Sequence, residues 1–504
     1  MDSERIQNCL DLIRQARQLP VDDARRSLLE QAAGELVRDG RLRRRAEARA
    51  ARRAADTKLL AATAMGATDR VMDAALPTRT AQEPALTVGA YVQLRPGTST
   101  TRLLPDRTPD DDGRSRQLNR PQRCYVCKNH YRQVHAFYHL LCPACADENL
   151  AHRTARTDLT GRRALLTGGR VKIGHQVGLM LLRDGAELTV TSRFPQDTVR
   201  RFAAAPDAAT WWHRLRIAAL DLRDPRQVLA FTDHMLSEGL PLDVLINNAA
   251  QTLRRSPQAY SALAAAEPTP TPTPVSLTAP RIWTAPGFSV PGPRTTPLPW
   301  TAELTPRSGS PDALDGVGHT ADTAVAVPVP QGAVDEAGLL AETAATNSWT
   351  LRLGQVDPTE LLEVQLVNAI APFLLADRLL PLLEASPHPH RYLVNVSAVE
   401  GQFTVRNKSG DHPHTNMAKA ALNMLTRTSA ADLATRGIHT CSVDTGWVTD
   451  EKPLPARERH AATGWRPPLD VVDGAARVYH PVVQGQAGAP VHGVLLKDYR
   501  QVPW

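Results

Sequence analysis

From Arg162 onward, short apolar or β-branched runs recur at Ala164–Leu166, Glu187–Thr191, Leu215–Ala219, Val244–Ile246, Tyr392–Val396 and His439–Val443. Stretches of helical period separate them, for example Ile173–Asp184 and Leu361–Leu383. A helix between two strands carries the chain back to the same end of a sheet, so the strands pair in parallel. The expected fold class is therefore α/β, a doubly wound parallel sheet with helices on both faces.

The chain has 504 residues, more than one ordinary domain uses, so further units are expected. Residues 1–65 read as an α-helical region. Ile6, Cys9, Leu10, Ile13 and Ala16 share one face, Pro20 stops that helix, and Ala24, Leu28, Leu29, Ala32 and Leu36 repeat the pattern. Residues 66–119 read as linker, Pro-, Thr- and Asp-rich from Arg95 to Arg120. A cysteine module at 120–150 precedes the α/β domain at 157–504. That domain is interrupted at about 253–345 by a Pro-, Thr- and Ala-rich insertion containing Pro268-Thr-Pro-Thr-Pro-Thr-Pro274. The insertion has no sustained period, so it is expected to be poorly ordered, with a partly ordered lid as the alternative.

Cys124-x-x-Cys127 and Cys142-Pro-Ala-Cys145 have the spacing of two knuckles around tetrahedral zinc. Four thiolates leave no open position, so a structural site is expected rather than a catalytic one. His130, His135 and His139 lie between the knuckles as possible substitutes. Cys9 and Cys441 are isolated and read as small hydrophobes.

The turn after the first run reads Thr167-Gly-Gly-Arg-Val-Lys-Ile-Gly174. Thr167, Gly168, Gly169, Arg170, Lys172, Ile173 and Gly174 would form a phosphate turn opening a helix. Small residues admit the backbone to a phosphate, and the helix N-terminus supplies N–H groups. Ser192 and Arg193 follow the second run, where an acidic residue would select a free ribose hydroxyl and an Arg suits an added 2′-phosphate. Asp221-Leu222, Asn247-Asn-Ala-Ala250 and Asp444-Thr-Gly-Trp-Val-Thr449 follow later runs.

In this order the motifs resemble those of the short-chain dehydrogenase/reductase family, over residues 160–500. The resemblance implies a Rossmann-like domain that binds NADP(H). Asp221 and Leu222 would meet the adenine, Asn248 and Ala249 belong to the motif after the fourth strand, and Gly446, Val448 and Thr449 would flank the nicotinamide. Two positions depart from the family's pattern here. Lys172 stands for the middle Gly of the phosphate turn, and Thr445 for a Pro.

The catalytic positions depart further. Asp411–Leu425 resembles the family's catalytic helix, where a Tyr stands four residues before a Lys; Lys419 is present, but the Tyr position is Thr415. Asn395-Val-Ser-Ala398 resembles the strand of the catalytic Ser, whose place is Ala398, with Ser397 facing the other way. Asn368 resembles the helix Asn that helps place the Lys. An aliphatic hydroxyl is far too weak an acid to replace a phenol of pKa about 10. His412 and His414 flank the gap, and His suits proton transfer near neutrality. His414 is about 100° off the required face unless the helix begins at Thr415; the plainer role for both is in the loop or the cap. The expected catalytic set is Lys419, Asn368, His414 and Thr415.

The net charge is +7, and eight Arg fall between Arg38 and Arg53 against Asp39 and Glu47. Such a helix can touch nucleic acid or an acidic partner, but a solvated face is the plainer reading, and nucleic acid is not an expected partner. No apolar run approaches the roughly 18 residues of a membrane span, and no secretory signal is visible, so a cytoplasmic protein away from membranes is expected. Its expected partners are an unidentified small-molecule substrate, further copies of the chain, and a protein bound by the cysteine module. Two functions compete. One is an NADP(H)-dependent oxidoreductase for a carbonyl or alcohol with a non-standard proton relay. The other is an inactive NADP(H)-binding sensor or scaffold with a zinc-dependent interaction module. Lys419 and Asn368 favour the first, Ala398 and Thr415 the second.

Overall fold

The computed structural model describes residues 2–71, 75–76, 116–270, 278–293 and 334–504. Two helices come first, α1 (Ser3–Ala16) and α2 (Ala24–Ala61), capped by the Asp2 and Asp23 carboxylates. α2 has 38 residues and buries none of them; it is about 57 Å long. Good helix formers (Ala, Leu, Arg, Glu) fill it, so local propensity sustains what packing does not. Its end is tied down where Asp56 accepts from Asn119 N, Asn119 Nδ2 and Arg120 N at 2.7, 2.9 and 3.1 Å.

The cysteine module is a hairpin of β1 (Gln117–Arg123) and β2 (His130–Gln133), followed by α3 (Pro143–Arg153). The tract read as linker is trimmed at both ends. Gln117–Arg120 are strand, and Arg70 is buried, donating to Met65 O, Pro467 O and Leu469 O at 2.9, 3.0 and 2.8 Å. Residues 77–115 lie outside the described residues.

The α/β domain opens with β3 (Arg163–Leu166), α4 (Lys172–Arg183), β4 (Glu187–Ser192), α5 (Pro195–Ala203), α6 (Ala208–Trp211) and β5 (Leu215–Ala219). α7 (Pro225–Glu238), β6 (Val244–Asn247), α8 (Ser261–Ala266) and β7 (Arg281–Thr284) follow. Next come α9 (Pro358–Gln365), α10 (Ala371–Arg378), α11 (Leu380–Glu384), β8 (Arg391–Ser397), α12 (Pro413–Thr435) and β9 (Ile438–Asp444). Last are α13 (Leu454–Ala462), α14 (Val471–Gln486), β10 (Leu495–Lys497) and β11 (Arg500–Val502).

One nine-stranded sheet has the order β11-β10-β9-β8-β6-β3-β4-β5-β7, parallel throughout except for β11. Helices cover both faces because the central strands are apolar in both directions. Ala164, Leu166, Val244, Ile246, Tyr392 and Val394 face one core, and Leu165, Leu245 and Leu393 the other, in strict alternation. The sheet builds outward in opposite directions from β3 and β6. Their carboxyl ends therefore border the crevice where such sheets bind ligands.

Two expectations need correction. The insertion at 253–345 is not wholly unstructured, because β7 lies within it and pairs in parallel with β5 as an edge strand. Trp283 anchors β7, stacking on His234 at 5.0 Å and packing on Phe231 at 5.3 Å. Residues 271–277 and 294–333, including most of the Pro-Thr repeat, lie outside the described residues. The other correction concerns hydropathy. The helical run Pro358–Arg378 reaches a mean hydropathy of 1.3 and is long enough to cross a membrane, with 44% of its window buried. It is apolar because Val367, Ala371 and Leu375 pack into the core under the sheet.

Candidate functional site

The crevice is wound as tightly as a phosphate turn requires. Gly168 has φ +70°, and a Cβ there would stand 3.0 Å from Ala249; a Cβ on Gly174 would stand 2.1 Å from Gly168 O and 2.5 Å from Asn248 Nδ2. A Cβ on Gly169 would meet Val190 at 2.7 Å. Thr167 Oγ1 accepts from the backbone N–H groups of Asn248 and Ala249 at 3.0 Å each, and Asn248 Nδ2 donates to Thr167 O and Gly168 O at 3.0 and 3.1 Å. These bonds lock the turn to the end of β6. α4 begins behind the turn with no side-chain cap, so its first N–H groups remain available to an anion. Lys172 opens α4 with φ +52°, and its ammonium lies 3.8 Å from Glu451 Oε1. A left-handed backbone is strained for Lys and unstrained for the Gly it replaces.

The side chains flanking the turn are committed to one another. Arg170 pairs with Asp197 at 2.6 Å and donates to Ala337 O at 2.7 Å. Ser192 Oγ accepts from Phe194 N and Thr198 Oγ1 at 3.0 and 2.8 Å, holding the start of α5. The Arg193 guanidinium lies over the Tyr260 ring, 5.3 Å from its centroid. Against the cost of burial, Arg223 and Arg193 hold the Asp221 carboxyl below the ordinary carboxylate range. Arg223 also pairs with buried Glu363 at 3.0 Å. Leu222 is buried in the core. Tyr260 and Ala337 belong to the insertion, so its described parts wall this side of the site.

After β9 the chain turns at Gly446, with φ +76°, where a Cβ would meet Leu469 Cδ1 at 2.6 Å. Val448 and Ile173 both touch Gly474 at the start of α14. Thr449 Oγ1 donates to Glu451 Oε1 at 2.7 Å. Desolvation raises the Glu451 carboxyl, but Lys172, Thr449, Arg255 and Arg457 together hold it below its ordinary value.

Lys419 is buried on α12 and donates to Val396 O at 2.7 Å. Burial pulls its ammonium down to about 8, with Glu400 and Asp444 acting the other way. Asn368 sits in a π-turn, Leu366–Ile370, between α9 and α10, and exchanges bonds of 2.7 and 3.1 Å with the backbone N–H and carbonyl of Gln251. Such turns recur at functional sites. Ser397 Oγ, Thr415 Oγ1 and both His414 ring nitrogens are buried without a hydrogen-bond partner.

His414 is not in the loop. α12 begins at Pro413, so His414 lies in its first turn, with Nε2 3.3 Å from Glu360 Oε1 on α9, within ion-pair distance but not aligned as a hydrogen bond. The helix starts early because His412 takes a left-handed N-cap conformation, stacks on Trp349 at 4.1 Å and meets Trp349 O at 2.9 Å. Glu360 was not legible as a site residue, since a carboxylate in a helix's first turn ordinarily serves the dipole.

Sequence comparison agrees with the geometry. A family profile described as short chain dehydrogenase matches residues 162–268, and one described as enoyl-(acyl carrier protein) reductase matches 331–462. The protein belongs to the short-chain dehydrogenase/reductase family. Among similar proteins, an uncharacterized protein of Acanthamoeba polyphaga mimivirus is 29% identical over 381 residues, 71% of each chain. A probable oxidoreductase of Streptomyces antibioticus is 41% identical over 95 residues, 18% of this chain and 30% of that one. Among solved structures, NADPH-bound carbonyl reductase from chicken fatty liver is 17% identical, covering 69% of this chain and 100% of its own, with a TM-score of 0.40. The two profile matches leave out residues 269–330, inside the insertion, everything before 162 and everything after 462.

The family's fold here carries an additional metal-type cluster. The Sγ atoms of Cys124, Cys127, Cys142 and Cys145 lie within 4.8 Å of one another, Cys127 and Cys142 at 3.7 Å. Four zinc–sulfur bonds of about 2.3 Å in tetrahedral geometry need sulfurs at about this spacing, so the residues fit a closed zinc site. Against desolvation, the Asn129 N–H and the neighbouring sulfurs lower the Cys127 thiol. Two of the three intervening histidines have other work: His139 Nε2 lies 3.3 Å from Arg466 O, and His135 Nδ1 accepts from Phe137 N at 3.1 Å.

The module docks on the start of α14. Arg153 pairs with Asp470 at 2.5 Å and Asp473 at 3.1 Å, with all three side chains fully buried. Tyr138 donates to Asp473 at 2.6 Å, and Arg477 bridges Asn149 and Asp498 at 2.7 and 2.8 Å. Leu469 completes the module's own core. Nothing in the cysteine spacing announces this dock.

Proposed function

We propose that the protein is an NADP(H)-dependent oxidoreductase of the short-chain type, acting on a carbonyl or alcohol through a proton relay that uses no phenol. The observation that carries the reading is the retention of Lys419 and Asn368 beside a phosphate-type turn. Bound NADP(H) would supply or accept the hydride. Thr167–Gly174 and the N-terminus of α4 would hold its pyrophosphate, Arg193 its 2′-phosphate, and Gly446–Thr449 would flank its nicotinamide. Lys419 would bind the ribose, its lowered pKa leaving it able to hand on a proton near pH 8. His414, faced by Glu360, is the first candidate for the proton itself, with Thr415 beside it as a positioning hydroxyl.

The second reading is an NADP(H)-binding protein without turnover, favoured by Ala398 and by Thr415 in place of an acid. A titration with NADPH and NADH, followed by a carbonyl screen read at the nicotinamide absorbance, separates the two. NADPH should bind more tightly, and Arg193→Asp should reverse or abolish that preference; equal affinity in the unmodified protein rejects the assignment. In an active enzyme His414→Ala should cost about 10²–10⁴-fold in rate. A silent His414→Ala removes the relay and leaves the enzyme.

Self-association through the α/β domain belongs to the same proposal. Leu362, Ile370 and Phe373 on the α9–α10 run and Met417 and Met424 on α12 are exposed large hydrophobics on adjoining helices. A monomer in sedimentation at working concentration would refute it.

A further inference from the structure

The cysteine module reaches the Gly446 turn through the side chain of Tyr125, which stands between Cys124 and Cys127 in the first knuckle. Its hydroxyl oxygen accepts the Trp447 N–H at 2.8 Å. It also lies 3.4 Å from where a Cβ on Gly446 would be, so the turn passes close beside the hydroxyl. On the opposite side Val448 packs on Gly474, which in turn touches Ile173 at the start of α4. The Tyr125 backbone is fixed within the module, its N–H donating to Leu140 O at 2.8 Å. A contiguous path therefore runs from the knuckle through Tyr125 and the turn to the helix behind the phosphate loop.

We infer that Tyr125 is a positioning residue for the turn Asp444–Val448, and that it carries the metal state of the cysteine module into the affinity of the dinucleotide site. The inference rests on the proposed function for the identity of the dinucleotide. Geometry supports it in two ways. The four-sulfur cluster sets the conformation of the knuckle, and hence where the phenol points. The turn has few alternatives, because Gly446 is held in a left-handed conformation between Leu469, Arg477 and Tyr125. Losing the acceptor frees Trp447 N–H and lets the turn sample positions that a bound nicotinamide would have to select against. That selection lowers apparent affinity by the fraction of molecules in the competent state.

The test uses the full-length protein, with zinc content, NADPH affinity and backbone amide exchange measured on wild type and Tyr125→Phe. Expected are unchanged zinc content, faster exchange at Trp447 with the rest of the module still protected, and an NADPH dissociation constant raised about tenfold, the scale of one lost hydrogen bond. The NADPH to NADH preference should not move. Chelation of zinc from the unmodified protein should accelerate the same amide. The inference is overturned if Trp447 exchanges alike in both proteins. It is also overturned if Tyr125→Phe loses its zinc, because the hydroxyl would then serve only the fold of the module. If the unmodified protein binds no NADPH, the proposed function fails, and the Trp447 exchange comparison decides the positioning role by itself.

Discussion

Cys142→Ser is expected to empty the metal site and unfold the cysteine module. Structural zinc contributes about 10–16 kcal/mol of apparent binding free energy in small finger peptides, which exceeds what a core this small can supply. Wild-type protein purified without added zinc should contain one zinc per chain. The variant should contain none, and a low-temperature transition should separate from the melting of the sheet. The sheet itself should survive, because its two cores are built from residues of the α/β domain alone. Unchanged metal content together with a single unchanged transition would rule the site out.

Arg153→Met is expected to be nearly as severe. The guanidinium lies between Asp470 and Asp473, with no exposed side-chain surface on any of the three. Removing one partner of such a cluster costs about 3–5 kcal/mol, because the remaining carboxylates stay buried without their paired cation. In the unmodified protein, burial raises the Asp470 carboxyl but Arg153 pulls it below its ordinary value, whereas burial and then Asp470 push Asp473 up. Without Arg153 both carboxylates resist ionisation. The unfolded chain then releases protons that the folded chain keeps, so the variant loses stability as pH rises above the usual carboxylate pKa of about 4. Chemical denaturation should show the deficit at pH 7.5 shrinking toward pH 4.5. A deficit that is absent, or constant over that span, would mean the cluster is solvated.

The sheet was legible because its central runs, Ala164–Leu166 and Val244–Ile246, are apolar on both faces, and a pattern of that kind has few other folds. β7 was not legible. Arg281-Ile-Trp-Thr is too short to declare itself within a Pro-rich tract, and it becomes a strand only because β5 presents an open edge. β10 and β11 have three residues each and follow the same logic of pairing with a neighbour. The phosphate turn was readable from its glycines, which are required by approach distances that any Cβ would violate. The cluster of four cysteines was equally readable, since ligand spacing is a local property. The His414–Glu360 contact and the Arg153–Asp470–Asp473 cluster were not, because both join residues far apart in the chain. Charged residues scattered on helices carry no mark of their eventual burial. His414 lies on the helix and not in the loop before it, because the left-handed cap at His412 starts α12 at Pro413, two residues before Thr415.

The dock between the module and α14 also dictates an order of events during synthesis. Arg153 and Asp470 are 317 residues apart, so the module leaves the ribosome long before the groups that will neutralise and cover it exist. In that interval the knuckles are complete and able to take up metal, while Arg153, Tyr138 and the Leu469-sized gap in the module's core still face water. The α/β sheet waits as well, since β6 cannot acquire its neighbour β8 until residues 391–397 have been made. The nascent chain therefore carries a complete set of four cysteines attached to an unfinished sheet. The dock itself can close only once Asp470 and Asp473 at the start of α14 have been made.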